Sequence, residues 1–354
     1  MAEKFFAFES GKISIAFGLG YGLGDSVVAK KIFDLLVKIE PSCVIDIFCK
    51  EPRHIDFAKA FFGFSKNLNR ILNHEKFYEQ NVGKYSLAVW VVGTHCIMFD
   101  GADIEQLKKS PALLNTALQI QEYNNRMVKD FKPLGFSVPL RNVCISRILN
   151  KNFFWFLSCG GVLPIHDEKI EINLSPDYRR DFNKLKLGKY ITIYSNIHRQ
   201  ATRLKSKTWP MKYLIEYVAL VKENFPDIQI VQCGGQEELK IKNADRYFLG
   251  VDLELTKYIL ANSLLHVGCE GGLIHLATAL ETTCLVFFGS SDWHYFAYDR
   301  NINIASSVCE PCMYIAGDYG CVLEAKEPPC MLDITPQEAF KVTRKYLNRL
   351  RLQK

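Results

Sequence analysis

Along most of the chain, short runs of apolar residues alternate with stretches in which apolar positions recur at helical spacing. Lys12 to Phe17 reads as a buried strand, and the segment after it carries Val28, Ile32, Leu35 and Ile39 on one helical face. Cys43 to Cys49 predicts a second strand, Ile55 to Phe62 a second helix, and Lys84 to Val92 a further strand. A long helical pattern runs from Pro111 to about Lys132, and 143–157 is aromatic and apolar. The alternation blurs after residue 93.

It becomes regular again from Tyr190. A strand over 190–195 precedes a helix opening at Trp209-Pro210, where Pro suits the first turn. Ile228 to Gln232 predicts a strand ending at Gly234-Gly235. Tyr247 to Leu249 predicts another, followed by a helix around 254–262. The strand 264–268, a glycine turn, the helix 272–280 and the strand Cys284 to Phe288 complete the series. Repeated strand–helix units of this length imply parallel sheets with right-handed crossovers. The two regular halves meet in a polar, charged stretch at 175–188. The fold expected is α/β, with two doubly wound, Rossmann-like domains facing a central cleft and a glycine-bearing loop at the carboxyl end of each sheet.

Length supports two domains, since 354 residues can build two separate cores. A net charge of +6 favours an anionic ligand or surface but is too small to argue for nucleic acid. No run reaches the roughly twenty apolar residues that a membrane helix needs. Met1-Ala2-Glu3-Lys4 does not open an export signal, so the twelve cysteines are expected to be reduced thiols in a cytoplasmic protein.

Candidate chemistry sits on the loops. Val267 to Ala277 reads as a strand end, Glu270, two glycines and a helix start that carries His275 one turn in. The free N–H groups of such a start accept a phosphate, and Gly271 and Gly272 let it come close. A structural turn is the ordinary alternative. The loop Gly18 to Ser26 lacks the spacing of a dinucleotide fingerprint and has no Gly-Lys-Ser/Thr, which excludes a P-loop. Gly22 and Gly24 instead lead Asp25 into a helix, where Asp caps well or could serve as a base. Arg199, Arg203, Lys205 and Lys207 lie between a strand and a helix, a placement that suits a diphosphate or a solvated basic loop. Glu237 follows Gly234-Gly235, as a nucleoside contact or an acidic helix start. Cys309, Cys312, Cys321 and Cys330 cluster among Pro and Gly, as a structural zinc or iron site or as free thiols.

Together these loops resemble glycosyltransferase family nine, the ADP-heptose lipopolysaccharide heptosyltransferases and their relatives. Gly24-Asp25 is similar to that family's N-terminal Gly-Asp, which implies that Asp25 is the general base. Lys207-Thr208-Trp209-Pro210 is similar to its Lys-x-Trp-Pro, which implies that Lys207 contacts the donor diphosphate. Glu237 takes the place of the residue that reaches the nucleoside, and Thr202 lies in the same donor-binding region. Glu270, Gly271, Gly272, His275 and Leu276 align with Asp-Thr/Ser-Gly-x-x-His-Leu, but Glu replaces the usual Asp and Gly271 the usual hydroxyl residue. The tail, with its cysteines and Ile334 to Glu338, resembles a cysteine-bearing branch that acts on autotransporters.

The resemblance implies the GT-B architecture: residues 1–180 as an acceptor-binding domain, 185–335 as the nucleotide-sugar-binding domain, and a closing helix over 336–354 that packs back towards the first. It implies inverting transfer of heptose from an ADP-linked sugar to a lipopolysaccharide or lipooligosaccharide acceptor, with no catalytic metal. A protein acceptor, an epimerase and a metal-stapled sugar-nucleotide-binding scaffold are the alternatives. The basic tail Arg344, Lys345, Arg349, Arg351 and Lys354 would give peripheral contact with the inner face of the membrane.

Overall fold

The computed structural model describes residues 12–20, 22–73, 75–131, 138–196, 205–315 and 321–352. The chain divides into two compact units, residues 1–173 and 174–354.

The first unit alternates β1 (Ser14–Leu19), α1 (Leu23–Ile39), β2 (Val44–Cys49), α2 (Pro52–Phe62), β3 (Leu68–Asn73), α3 (Glu75–Asn81) and β4 (Leu87–Val92). It then departs from that rhythm with β5 (Cys96–Ala102), α4 (Ile104–Leu107), α5 (Pro111–Phe131), α6 (Val138–Leu149) and α7 (Phe153–Leu157). The sheet order is β3-β2-β1-β4-β5, parallel except for the β4–β5 hairpin. The blurred stretch after residue 93 is thus an antiparallel edge followed by helices. Strand order reverses between β1 and β4, and a ligand crevice of such a sheet opens there, at the carboxyl ends. Phe17 of β1 meets Phe33 of α1 edge-on at 5.8 Å and Phe62 of α2 at 6.0 Å. Buried Asp46 on β2 is fully engaged: Asn69 donates at 2.9 Å, Tyr85 at 2.7 Å, and the Arg70 guanidinium pairs with it at 2.5 Å. A buried charge is tolerable only when satisfied in this way.

The second unit runs α8 (Arg179–Lys184), β6 (Tyr190–Ile193), α9 (Met211–Asn224), β7 (Gln229–Gly234), β8 (Arg246–Leu249) and α10 (Leu253–Ala261). It continues with β9 (His266–Cys269), α11 (Gly272–Ala279), β10 (Cys284–Phe288), α12 (Trp293–Phe296), β11 (Ile302–Ala305), α13 (Pro329–Asp333) and α14 (Pro336–Leu352). Its sheet, β11-β10-β9-β6-β7-β8, is parallel throughout and reverses order between β6 and β9. Trp209 anchors the core: its indole lies 4.4 Å from the Phe287 ring and donates to the Ile334 carbonyl at 2.8 Å. The closing helix α14 packs on α9, within its own unit, with Thr343 and Tyr217 hydroxyls 2.8 Å apart. The basic tail is partly spent in the same contact, because Arg351 pairs with Asp227 and lies 4.8 Å over the Phe225 ring. Lys354 lies outside the described residues. Among those residues no helix is long and apolar enough to cross a membrane.

Candidate active site

Strand β9 is buried along its whole length, and Gly268 within it is required by packing. A Cβ there would stand 2.0 Å from the Tyr194 ring, which stacks on His266 at 5.5 Å and 7°. Tyr194 hydroxyl in turn donates to the Cys269 carbonyl. This wedge sets the strand end from which Glu270 projects, and Gly271 then caps α11. Ile274 and His275 donate to the Gly271 carbonyl at 3.1 and 3.3 Å, whereas the amides of Gly272 and Leu273 are of the kind that a helix start leaves without an intrahelical carbonyl, and such amides favour an anion.

Glu270 is 5% exposed and is the hub of this end of the sheet. Lys207 Nζ sits 2.5 Å from Oε2, Ser291 Oγ donates to the same oxygen at 2.7 Å, and His275 Nε2 lies 3.7 Å from Oε1. Burial alone would raise the Glu270 carboxyl, but Lys207 and His275 together hold it well below the usual carboxylate range. His275 is oriented from its other side by the Tyr298 hydroxyl, 2.7 Å from Nδ1. Lys207 also lies 5.9 Å from the Phe296 ring centroid. Lys207 and Ser291, both distant in sequence, and His275, one turn into α11, therefore converge on one carboxylate at the N-terminus of α11.

Of the two adjacent glutamates after β7, Glu237 is exposed and Glu238 is buried. Glu238 accepts from the Ser195 hydroxyl at 2.9 Å and from the amides of Ser195, Asn196 and Gly235 at 3.2 Å. It ties the carboxyl ends of β6 and β7 together, and sequence reasoning passed over it. The basic loop places Lys207 at the hub, whereas Thr202, Arg199 and Arg203 lie outside the described residues.

In the first unit Asp25 stands at the carboxyl ends of β1 and β4, where that sheet reverses. Its carboxylate accepts from the Gly22 amide at 2.9 Å and from the Thr94 amide at 3.2 Å. It therefore caps α1 and also pins the β4–β5 turn. Gly24 is buried in the first turn of α1. Gly93, with φ +50°, leaves room for that grip: a Cβ there would fall 1.9 Å from Asp25 Oδ1. Nothing in the sequence pattern marked Gly93. The unit also holds a cavity of about 270 Å³ lined by Tyr123, Arg126, Arg141 and Trp155, in the stretch without a motif.

Cys309, Cys312 and Cys321 are half-buried and Cys330 is buried. Burial pushes the Cys330 thiol up to about 12, and the other three thiols push it the same way. Among the described residues no three His, Cys, Asp or Glu side chains are grouped so as to hold a metal ion.

Residues 162–319 match the family model described as Glycosyltransferase family 9 (heptosyltransferase). Over that stretch, a little under half of its length, the chain is similar to the family 9 heptosyltransferases. The fold agrees with that similarity. The glycosyl transferase family 9 protein from Veillonella parvula DSM 2008 superposes with TM-score 0.59 at 12% identity, over 97% of this chain and 99% of that one. E. coli ADP-heptose lps heptosyltransferase II gives 0.57 at 14%, over 96% and 99%. TibC, an iron-containing dodecameric glycosyltransferase from enterotoxigenic E. coli H10407, is also similar. In its complex with ADP-D-beta-D-heptose it gives 0.60 at 13%, over 96% of this chain and 77% of that one. No curated protein matches the sequence. The family 9 match spans β6 to β11, the strands whose ends carry Lys207, Glu238 and Glu270.

Proposed function

We propose that the protein transfers heptose from an ADP-linked donor, with inversion and no metal in the transfer step, to a surface-glycan acceptor of the lipopolysaccharide or lipooligosaccharide type. The observation that carries this reading is the Lys207–Glu270–His275 hub at the start of α11. Lys207 and the amides of Gly271 and Gly272 meet the donor diphosphate, while Glu270, His275 and the segment of Thr202 and Glu237 bind the rest of the donor. As the acceptor hydroxyl attacks the anomeric carbon, the bond to the diphosphate breaks and the proton passes to Asp25. A carboxylate suffices because the hydroxyl acidifies as the new bond forms. The cation and amides stabilise the charge growing on the leaving diphosphate. Tyr123, Arg126, Arg141 and Trp155 offer the acceptor side aromatic faces for sugar rings and cations for anionic groups. On this reading the reaction runs in the cytoplasm, where a lipid-borne acceptor would be met at the inner face of the membrane.

ADP-heptose should raise the melting temperature of the wild type and of Asp25→Asn alike. The Asn retains one acceptor for the α1 cap, so the variant stays folded while transfer falls about 10²–10⁴-fold. Undiminished transfer by Asp25→Asn would remove it as the base.

The four cysteines favour a second reading, a protein acceptor, because the cysteine-bearing branch that the tail resembles acts on autotransporters. Cys309, Cys312, Cys321 and Cys330 would then hold a structural zinc or iron ion. Burial and the three neighbouring thiols oppose ionisation of Cys330, an opposition that a bound cation would relieve. Elemental analysis of reduced protein should find about one such ion per chain, and a value near zero leaves free thiols.

A further inference from the structure

The turn after β10 carries a device that neither the family match nor the donor hub accounts for. Trp293 is 43% exposed, although the residues around it are held fast: Asp292 is 1% exposed, Tyr295 0% and Phe296 4%. Its ring lies against the His294 imidazole, centroids 3.9 Å apart and planes inclined by 30°. Asp292 Oδ1 accepts from the His294 amide at 2.9 Å and lies 3.0 Å from its Nδ1. With the Nδ1 proton directed at that carboxylate, Nε2 is the acceptor edge of the ring. The result is a rigid aromatic plate with a hydrogen-bonding rim.

The plate borders the donor hub on both sides of the turn. Ser291, two residues before Trp293, donates to Glu270, and Phe296, three residues after it, lies beside Lys207. Sheet order gives the direction. The anion position follows β9, the Gly234-Gly235 turn and Glu238 lie on the β7 side, and Trp293 and His294 lie on the β10 side. A nucleoside diphosphate sugar centred on α11, with its nucleoside towards β7, has its sugar towards β10. There an indole face suits the C–H face of a pyranose, and His294 Nε2 accepts from a hydroxyl.

We infer that Trp293 and His294 form the donor-sugar subsite and determine which sugar is transferred. This rests on the donor reading above. Trp293 and His294 would be specificity-determining residues, and Asp292 a positioning residue.

Calorimetric titration of wild type, Trp293→Ala, Trp293→Phe and His294→Ala with ADP and with ADP-heptose tests it. ADP affinity should be the same in all four. ADP-heptose should bind about tenfold more weakly to Trp293→Ala and to His294→Ala, the scale of losing one good sugar contact. The Phe variant, which keeps an aromatic face, should recover most of that loss. ADP-heptose binding unchanged in both alanine variants would overturn the inference. Equal weakening of ADP and ADP-heptose would overturn it as well, since the plate would then hold the nucleotide. If wild type binds neither ligand, the donor reading itself fails, a result distinct from both.

Discussion

At the scale of residues, Glu270 shows how the hub couples binding chemistry to stability. Its carboxyl titrates in the folded protein below its ordinary 4.5. As pH falls, the unfolded chain therefore takes up this proton first. The stabilisation from the charged form is fully present above about pH 4.5 and drains away below it. Thermal melts between pH 7 and pH 3 should show a fall that is shallower in Glu270→Gln. Lys207→Ala should be costlier, because it leaves the carboxylate 5% exposed without its closest cation. Removing one partner of such a pair costs about 3 kcal/mol, less whatever water enters through the 16% of the Lys207 side chain that is exposed. A Lys207→Ala variant with wild-type melting and wild-type donor affinity would show that the pair does neither job.

Elements differ in how plainly they could be read. The strand Cys284 to Phe288 has the bounds its apolar run predicts, because it is buried on both faces. Strand β3, Leu-Asn-Arg-Ile-Leu-Asn at the sheet edge, is half-exposed and shows no such run. The hairpin strand β5 escaped because it breaks the strand–helix rhythm. The structure brings together Glu270, Lys207 and His275, which the glycine turn and the motif spacing had singled out. Which of Glu237 and Glu238 turns inward depends on the backbone of a single turn, and no spacing encodes that. The glycines carry a related lesson. Gly18, read as part of a flexible loop, lies inside β1, where a Cβ would come within 2.0 Å of the Trp90 ring. Gly18→Ala should destabilise the first unit by about 1–3 kcal/mol through overpacking. In a Trp90→Ala background the same change should cost far less, and a double-mutant cycle read by chemical denaturation measures the difference. Equal costs in both backgrounds would mean that Trp90 is not what the glycine accommodates.

At the scale of the whole molecule, the contacts described around Glu270 lie within one unit. Lys207, Glu270, His275, Ser291 and Tyr298 all belong to residues 174–354, as do the six strands that carry them. The helix α14 covers α9 of that same unit, with Phe340 against Phe225 at 6.4 Å. A stretch of this size with its own core can fold alone. A fragment of residues 174–354 should accordingly melt cooperatively and bind the nucleotide sugar, while catalysing no transfer because Asp25 is absent. Binding only to the folded state at a hundredfold excess over Kd adds about 2.7 kcal/mol, a shift that a melt resolves easily. Adding the fragment 1–173 in trans should not enlarge that shift, because nothing the donor needs would be missing. A fragment that folds but gains no stability from ADP-heptose, while the full chain does, would mean that part of the donor site lies in the first 173 residues. The hub would then be an ion-pair cluster that shapes the sheet end, and the glycines before α11 would serve packing alone.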